Sequence, residues 1–387
     1  MKYVFWISLS FILYSYLGYP LVLWFLSTLI PRRVNTRRLD PEPLASVVVA
    51  ARNEGNTIGK RIENLLGQHY PPNKLEIIIV SDGSTDSTND VVERYVAAET
   101  ATIRRGSEVL PRLKLIKLPS PMGKPRALNR GVAVASGDYI VFADARQDFG
   151  PDAVRELLAN FNDPAVGSVS GELVFCEDSA TTIKAEMGIY WNMEKWIRKM
   201  EGRIHSVAGA TGAIYAIRKE LFEEIPEETI LDDVFVPMKI VLRGYRNVFE
   251  DRAIAYDVFS KDLAGEKRRK VRTLLGNYQL LRLMPELASA RRNPIFLQFV
   301  SHKIFRLFIP FFLIALLASS FFASGVVYAL VFWAMVAVVV MNLLYAPLSR
   351  IRYLDRLCAV SRTLVSLNYF ALLAFFYCLR PGKMKVW

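Results

Sequence analysis

Residues 75–88 read LEIIIVSDGSTDST, and this stretch decides the fold. Its first half is apolar and rich in β-branched residues, the mark of a short strand buried on both faces. It stops at Ser81-Asp82-Gly83-Ser84, residues that favour turns. Residues 87–98 then read as a helix, with Asp86 available as its cap. Upstream, ASVVVAARNE at 45–54 repeats the pattern: a strand at 45–51 ends in polar Arg52-Asn53-Glu54. A helix follows over 57–68, with Ile58, Ile62, Leu65 and Leu66 at helical spacing. Downstream, strands at 113–118 and 139–143 flank a helix at 124–135, and the last strand runs into Asp144. Four strand–helix alternations predict an α/β fold built on a doubly wound, mostly parallel sheet covered on both faces. Ligands of such sheets bind beyond the carboxyl ends of the strands, so Arg52, Asn53, Glu54, Asp82 and Asp144 share the rim to examine.

This soluble-looking core sits between apolar flanks. Residues 3–30 are almost uncharged and long enough to cross about 30 Å of hydrocarbon. They are too long for a signal peptide, and Pro31-Arg32-Arg33 is a poor cleavage site, so residues 1–30 read as an anchor. Residues 295–387 form a second apolar region, with spans expected at about 304–322, 326–345 and 363–379 and a turn at Ala323-Ser324-Gly325. His302, Lys303 and Arg306 mark the near-side interface of the first of these. Arg32, Arg33, Arg37 and Arg38 follow the anchor directly, which by the positive-inside tendency puts the central domain, 43–260, in the cytoplasm of a multi-pass inner-membrane protein. The loop bearing Arg350, Arg352, Arg356 and Arg362 is cytoplasmic on the same reading; the tail with Arg380, Lys383 and Lys385 then either falls outside, against the tendency, or follows a last segment that is re-entrant or interfacial.

The net charge of +12 lies largely beside the apolar segments, which points to lipid headgroups and topology; no nucleic-acid reading module accompanies it. Three scattered cysteines and three scattered histidines form neither a disulfide framework nor a zinc site.

Chemistry is sought in the acids at the strand ends. Asp82 either accepts a hydrogen bond from a base or ribose hydroxyl, or simply makes a turn. Asp144, in FADARQDF at 142–149, can hold a divalent ion that bridges phosphate oxygens. Asp232 and Asp233, in ILDDVFVPMK at 230–239, are adjacent carboxylates that repel, so one has a raised pKa suited to a general base; an acidic helix start is the other reading. Lys124 follows Gly123 at a helix start and can face phosphates. The basic run at 266–282 suits an amphipathic interfacial helix over 264–290, and Arg269 or Arg272 on its inner side can grip a diphosphate. Aromatic residues at 190–200 suit either a sugar channel or a buried helix face. The small residues Gly209-Ala210-Thr211-Gly212-Ala213 permit either backbone approach to an acceptor or close packing.

Taken in order, Ala50-Ala51-Arg52-Asn53-Glu54, VSDGSTDST, Gly123-Lys124 with Ala127-Leu128-Asn129, Asp144 and Asp232-Asp233 resemble the family 2 glycosyltransferases of GT-A fold. The likeness is to the membrane branch with cellulose, chitin and hyaluronan synthases and the nodulation chitooligosaccharide synthase. It covers residues 43–285 and the arrangement of membrane segments. The resemblance implies a nucleotide-sugar donor, with a UDP-sugar expected. Ala50, Arg52, Glu54 and Asp82 would hold the nucleotide, and Lys124 would approach the diphosphate. Asp144 would bind it through Mg²⁺ or Mn²⁺, and Asp233, beside Asp232, would be the catalytic base. It further implies an inverting transfer to a glycan or lipid-linked acceptor in cell-surface or exopolysaccharide synthesis. Two departures stand out. The family's Asp-x-Asp reads Asp144-Ala145-Arg146, with Asp148 as a substitute further on, and of its Gln-x-x-Arg-Trp only Arg272 remains. A catalytically silent nucleotide-binding scaffold of a polysaccharide assembly complex is the competing reading.

Overall fold

The computed structural model describes residues 1–105, 110–176, 183–258, 263–345 and 354–379. Arg350, Arg352 and the basic tail lie outside the described residues. Eight strands form one sheet: β1 (Ala45–Ala51), β2 (Leu75–Asp82), β3 (Arg112–Leu118), β4 (Tyr139–Asp144), β5 (Asp148–Phe149), β6 (Val166–Cys176), β7 (Ile214–Arg218) and β8 (Arg246–Val258). Their order is β3-β2-β1-β4-β7-β6-β8-β5. The helices are α1 (Lys2–Leu13), α2 (Tyr19–Leu29), α3 (Ile58–Leu66), α4 (Thr88–Arg105), α5 (Lys124–Val134), α6 (Ala153–Ala159), α7 (Ile183–Ile204), α8 (Asp232–Leu242), α9 (Leu263–Leu283), α10 (Phe296–Phe299), α11 (Phe305–Phe322), α12 (Val326–Leu343) and α13 (Asp355–Cys378).

The four strands read from the sequence form the parallel half, β3-β2-β1-β4. The rest adds antiparallel pairings to a sheet that stays mostly parallel: β7 is antiparallel to β4 and β6, and β5 to β8, while β6 and β8 run parallel to each other. These strands escape a hydropathy reading because polar residues interrupt them. Ser168, Ser170 and Asn247 are fully buried, and the Asn247 amide donates to the carbonyls of Val207 and Gly209.

Strand residues alternate between faces. Val47, Val49, Ile77 and Ile79 pack with Ile58, Ile62 and Leu65 of α3 on one side, while Val48, Ile78, Val80 and Phe142 meet Leu128 and Val132 of α5 on the other. Glu76 breaks the apolar run of β2 at full burial, bonded to Lys114 Nζ, Ser46 Oγ and the Ser136 amide. Burial opposes its ionisation, but these donors outweigh it and hold its carboxyl below the usual range.

Four helical stretches are long and apolar enough to cross a membrane: Lys2–Leu29, Phe296–Phe322, Val326–Leu343 and Leu357–Cys378. None of α12 is buried in the protein, so its apolar side chains require a non-aqueous surrounding. The α11–α12 turn falls at Ala323–Gly325, as the sequence predicts. The basic helix α9 differs from expectation. Its apolar stripe is covered by protein: Leu275 is buried in the cluster that contains Ile230 and Leu231, and Tyr278 meets Phe375 of α13. Gln279 also ties α9 to the chain ahead of α8, accepting from the Ile230 amide and donating to the Glu228 carbonyl.

Gly83 closes the turn after β2 with φ +60°, and a Cβ there would stand 2.4 Å from the Pro121 nitrogen. We expect Gly83→Ala to destabilise the fold by roughly 1–3 kcal/mol through this strain and clash. Thermal unfolding checks it, and an unchanged midpoint would refute the close approach.

Candidate active site

The carboxyl ends of β1, β2 and β4 open on one rim, where the loops are stitched by short polar bonds. Asn53 Oδ1 accepts from the Thr85 amide, and the Asn53 amide donates to Ser84 Oγ. Asp86 caps α4 through the Thr88 amide and also accepts from the Gly55 amide. Asp86 is thus a cap, as read. The role of Asn53 in joining the first two rim loops was not legible, since its partners are thirty residues away.

Asp82 holds the neighbouring loop. Its two oxygens accept from the Met122 amide at 2.6 Å and the Gly123 amide at 2.9 Å. This clamp positions the next residue, Lys124, at the N-terminus of α5. Lys124 Nζ donates to Asp144 Oδ1 at 3.0 Å and stands 3.4 Å from Asp232 Oδ2. Burial alone would lower the lysine's pKa, but Asp144, Asp232 and Asp233 together raise it above its ordinary value.

Asp232 is buried, and its Oδ2 makes no hydrogen bond. Asp233 is half-buried in the first turn of α8, beside the loop from Gly209 to Ala213. Its carbonyl accepts from the Ala210 amide, and a Cβ on Gly212 would lie 2.8 Å from its Oδ2. The small residues therefore serve close backbone approach to this carboxylate. Burial, then the neighbouring Asp232, push Asp233 up to about 6 against the pull of Lys124 and Lys303.

Two further groups lie close and were not found in the sequence. Tyr215 on β7 is fully buried, stacked on Phe142, with an unpartnered hydroxyl; burial and Asp232, Asp233 and Asp144 push its pKa well up. Arg61 of α3 is buried with its guanidinium 4.1 Å from the Phe149 ring centre. Burial lowers it to about 9, against the pull of Asp144 and Asp148. An arginine at a helical position in an amphipathic stretch ordinarily reads as exposed, so nothing local marks it.

The other expected residues are placed as follows. Ala50 is half-buried near the end of β1, paired in register with Asp144 of β4. Glu54 lines the rim, bonded to Thr57 Oγ1 and 3.8 Å from Arg146, while Arg52 is exposed. Asp148 does not join Asp144: it pairs with Lys60 at 2.5 Å and belongs to β5. Arg269 and Arg272 lie on α9, and the described contacts of Asp144, Asp232 and Asp233 do not include them. Among the described residues no group of three or more His, Cys, Asp or Glu can hold a metal. An ion carried largely by substrate phosphates needs only one or two carboxylates, and Asp144 Oδ2 makes none of the described hydrogen bonds.

The profile of Glycosyl transferase family 2 matches residues 46–226, and that of Glycosyl transferase family group 2 matches residues 139–378. Poly-beta-1,6-N-acetyl-D-glucosamine synthase of Staphylococcus aureus (strain MSSA476) is 27% identical over 255 residues, covering 65% of this chain and 58% of that protein. The probable glycosyltransferase YdaM of Bacillus subtilis is 26% identical over 262 residues, covering 65% of this chain and 60% of that one. The match thus spans about three fifths of these relatives. Among solved structures, the mannosyltransferase PcManGT from Pyrobaculum calidifontis, in complex with GDP-Man and Mn²⁺, superimposes with a TM-score of 0.73. It covers 98% of this chain and 100% of that chain at 20% identity, a likeness of fold. With a profile spanning more than half its length, the chain belongs to the family 2 glycosyltransferases and is a glycosyltransferase.

Proposed function

We propose that this protein transfers a sugar from a nucleotide-sugar to an acceptor hydroxyl at a membrane surface, with inversion at the anomeric carbon. The observation that carries the reading is the gathering of Asp144, Asp232 and Asp233 about one lysine, whose loop is clamped by Asp82. A scaffold that only bound nucleotide would gain nothing from a half-buried carboxylate poised near neutrality.

In this reading Ala50, Arg52, Glu54 and the β2 rim receive the nucleoside, and Lys124 faces the diphosphate from the α5 N-terminus. Asp233 accepts the proton of the acceptor hydroxyl, whose oxygen bonds to the anomeric carbon as the bond from that carbon to the diphosphate oxygen breaks. The nucleoside diphosphate leaves on the opposite side. Asp144 would hold Mg²⁺ or Mn²⁺, which would supply positive charge to offset that of the leaving group. Asp232, buried next to Asp233, keeps its neighbour's proton affinity high. Arg269 and Arg272 of α9 would add their guanidinium groups to the diphosphate.

The basic residues after the first apolar stretch support a multi-pass arrangement with the sheet on the cytoplasmic side. The name of the staphylococcal relatives makes an N-acetylhexosamine donor the first to screen. Release of free nucleoside diphosphate from a panel of UDP- and GDP-sugars tests the reading. No release with any donor, in membranes containing acceptor lipids, would leave the scaffold.

Three outcomes are expected. Asp233→Asn lowers transfer by about 10²–10⁴-fold while donor affinity stays within a few-fold; retained transfer would take the base role from Asp233. Asp144→Asn weakens donor binding in Mg²⁺ or Mn²⁺ but not in chelator, and an unaltered metal response would count against its assignment. Transfer should also fall as pH drops through about 6, where Asp233 becomes protonated. Removing the cation in Lys124→Met disfavours the ionised carboxylate and moves that midpoint upward, by roughly one to three units. A midpoint that stays put would show that Lys124 is not the cluster's counter-charge.

A further inference from the structure

Besides Lys124, two further cations stand near the acid cluster. Helix α7 supplies Arg198, and the π-helical turn Val300–Ile304, just before α11, supplies Lys303. The sequence marks His302, Lys303 and Arg306 as the near-side interface of the span that follows. In the structure His302 and Arg306 are instead bound to two glutamates of α7. Glu201 accepts from the Tyr19 hydroxyl at 2.5 Å and meets His302 Nδ1 at 2.9 Å. Glu194 meets His302 Nε2 at 3.1 Å and pairs with the Arg306 guanidinium.

Arg198 and Lys303 take no part in these bonds. The hydrogen bond of Arg198 goes to a neutral group, Thr211 Oγ1, at 2.7 Å. Lys303 is half-buried, and the described hydrogen bonds and ion pairs do not include it. The like charges of Arg198 and Arg306 act on it against the opposite charges of Glu194 and Asp233, so it shares a poorly solvated place with another cation, Arg198. Such a pair is unfavourable until an anion lies between them. A lysine at the start of a membrane span ordinarily reaches outward to water or headgroups, and this one is gathered beside the acids.

The position narrows the ligand. Thr211, bonded to Arg198, adjoins Gly212, which lies against the Asp233 carboxylate. Lys303 belongs to the apolar stretch Phe296–Phe322, whereas Lys124, on the other flank of the acids, belongs to the sheet rim. The two lysines that act on Asp233 thus come from different parts of the fold.

We propose that Arg198 and Lys303 form an acceptor subsite for a phosphate ester carried on a lipid, held beside Asp233 as the acceptor enters from the membrane. The acceptor hydroxyl remains the nucleophile and the phosphate is only bound, so charge-assisted bonds to its oxygens are the whole contribution. This rests on Asp233 being the base, and the test measures binding without turnover so that the two can fail separately.

Full-length protein in nanodiscs of neutral lipid is titrated with farnesyl phosphate, farnesol and inorganic phosphate. Farnesyl phosphate should bind about tenfold or more tighter than either control. Lys303→Met and Arg198→Met should each remove that preference, and Lys303→Arg should restore most of it. Should Lys303→Met fail to fold, Arg198→Gln, which keeps a donor for Thr211, reads the same loss. Equal binding of farnesol, equal binding of inorganic phosphate, or a preference that survives in the folded variants would each overturn the subsite. Complete competition by UDP would also overturn it, by placing these cations on the donor diphosphate. A phosphate preference lost in the variants, together with transfer retained in Asp233→Asn, would keep the subsite and remove the base.

Discussion

Ionised carboxylates at the ends of separate elements share a cleft at low cost when a cation stands among them, and here that cation is the ammonium of Lys124. It reaches Asp144 at the end of β4 and Asp232 at the start of α8, and its charge is felt by Asp233. Its own position depends on Asp82, which grips the two preceding backbone amides. Removing either end of this chain of contacts would leave like charges facing one another at partial burial, where unpaired ionised groups cost several kcal/mol. The sheet makes the meeting possible. Parallel β2, β1 and β4 end together; β7 starts at that rim and runs away from it, and the chain after β7 comes back so that α8 begins beside them.

The same arrangement sets the chemistry of Asp233. A carboxylate beside another carboxylate and away from water binds its proton more tightly; a nearby ammonium moderates the effect. The balance puts this group at about 6, where it is ionised near neutrality and still basic enough to accept a proton. Gly212 keeps the adjoining loop in contact without filling the space, because any side chain there would meet the carboxylate.

Helix α7 couples this site to the apolar helices. Its Glu201 and Glu194 join Tyr19 from the first apolar stretch to His302 and Arg306 from the second, while Ile197 and Met200 pack on Tyr19 and Leu23. A buried network of this kind tolerates little displacement, since each member loses its partner when another moves. The site and the apolar helices are thereby held in one register.

Local pattern was enough to identify the parallel strands, the residues that end them, the cap at Asp86 and the apolar stretches. Each of these follows from periodicity, from turn chemistry or from length, which are properties of neighbouring residues. The ordered motifs likewise sufficed for the family. Long-range pairing was not legible. Buried Glu76, Arg61, Ser168 and Asn247 look like surface residues in isolation and are accommodated only by partners distant in the chain. Asp148 looked like a substitute carboxylate, but strand pairing with β8 carries it towards Lys60. The apolar stripe of α9 looked suited to lipid, and packing covers it with α13 and the chain leading into α8. By itself the sequence determined which segments are strands, helices and apolar spans, and which acids stand at strand ends. Only the tertiary structure decided which charges meet, because the energy of a buried charge is set by the partners brought within a few ångströms of it, and chain order does not specify those.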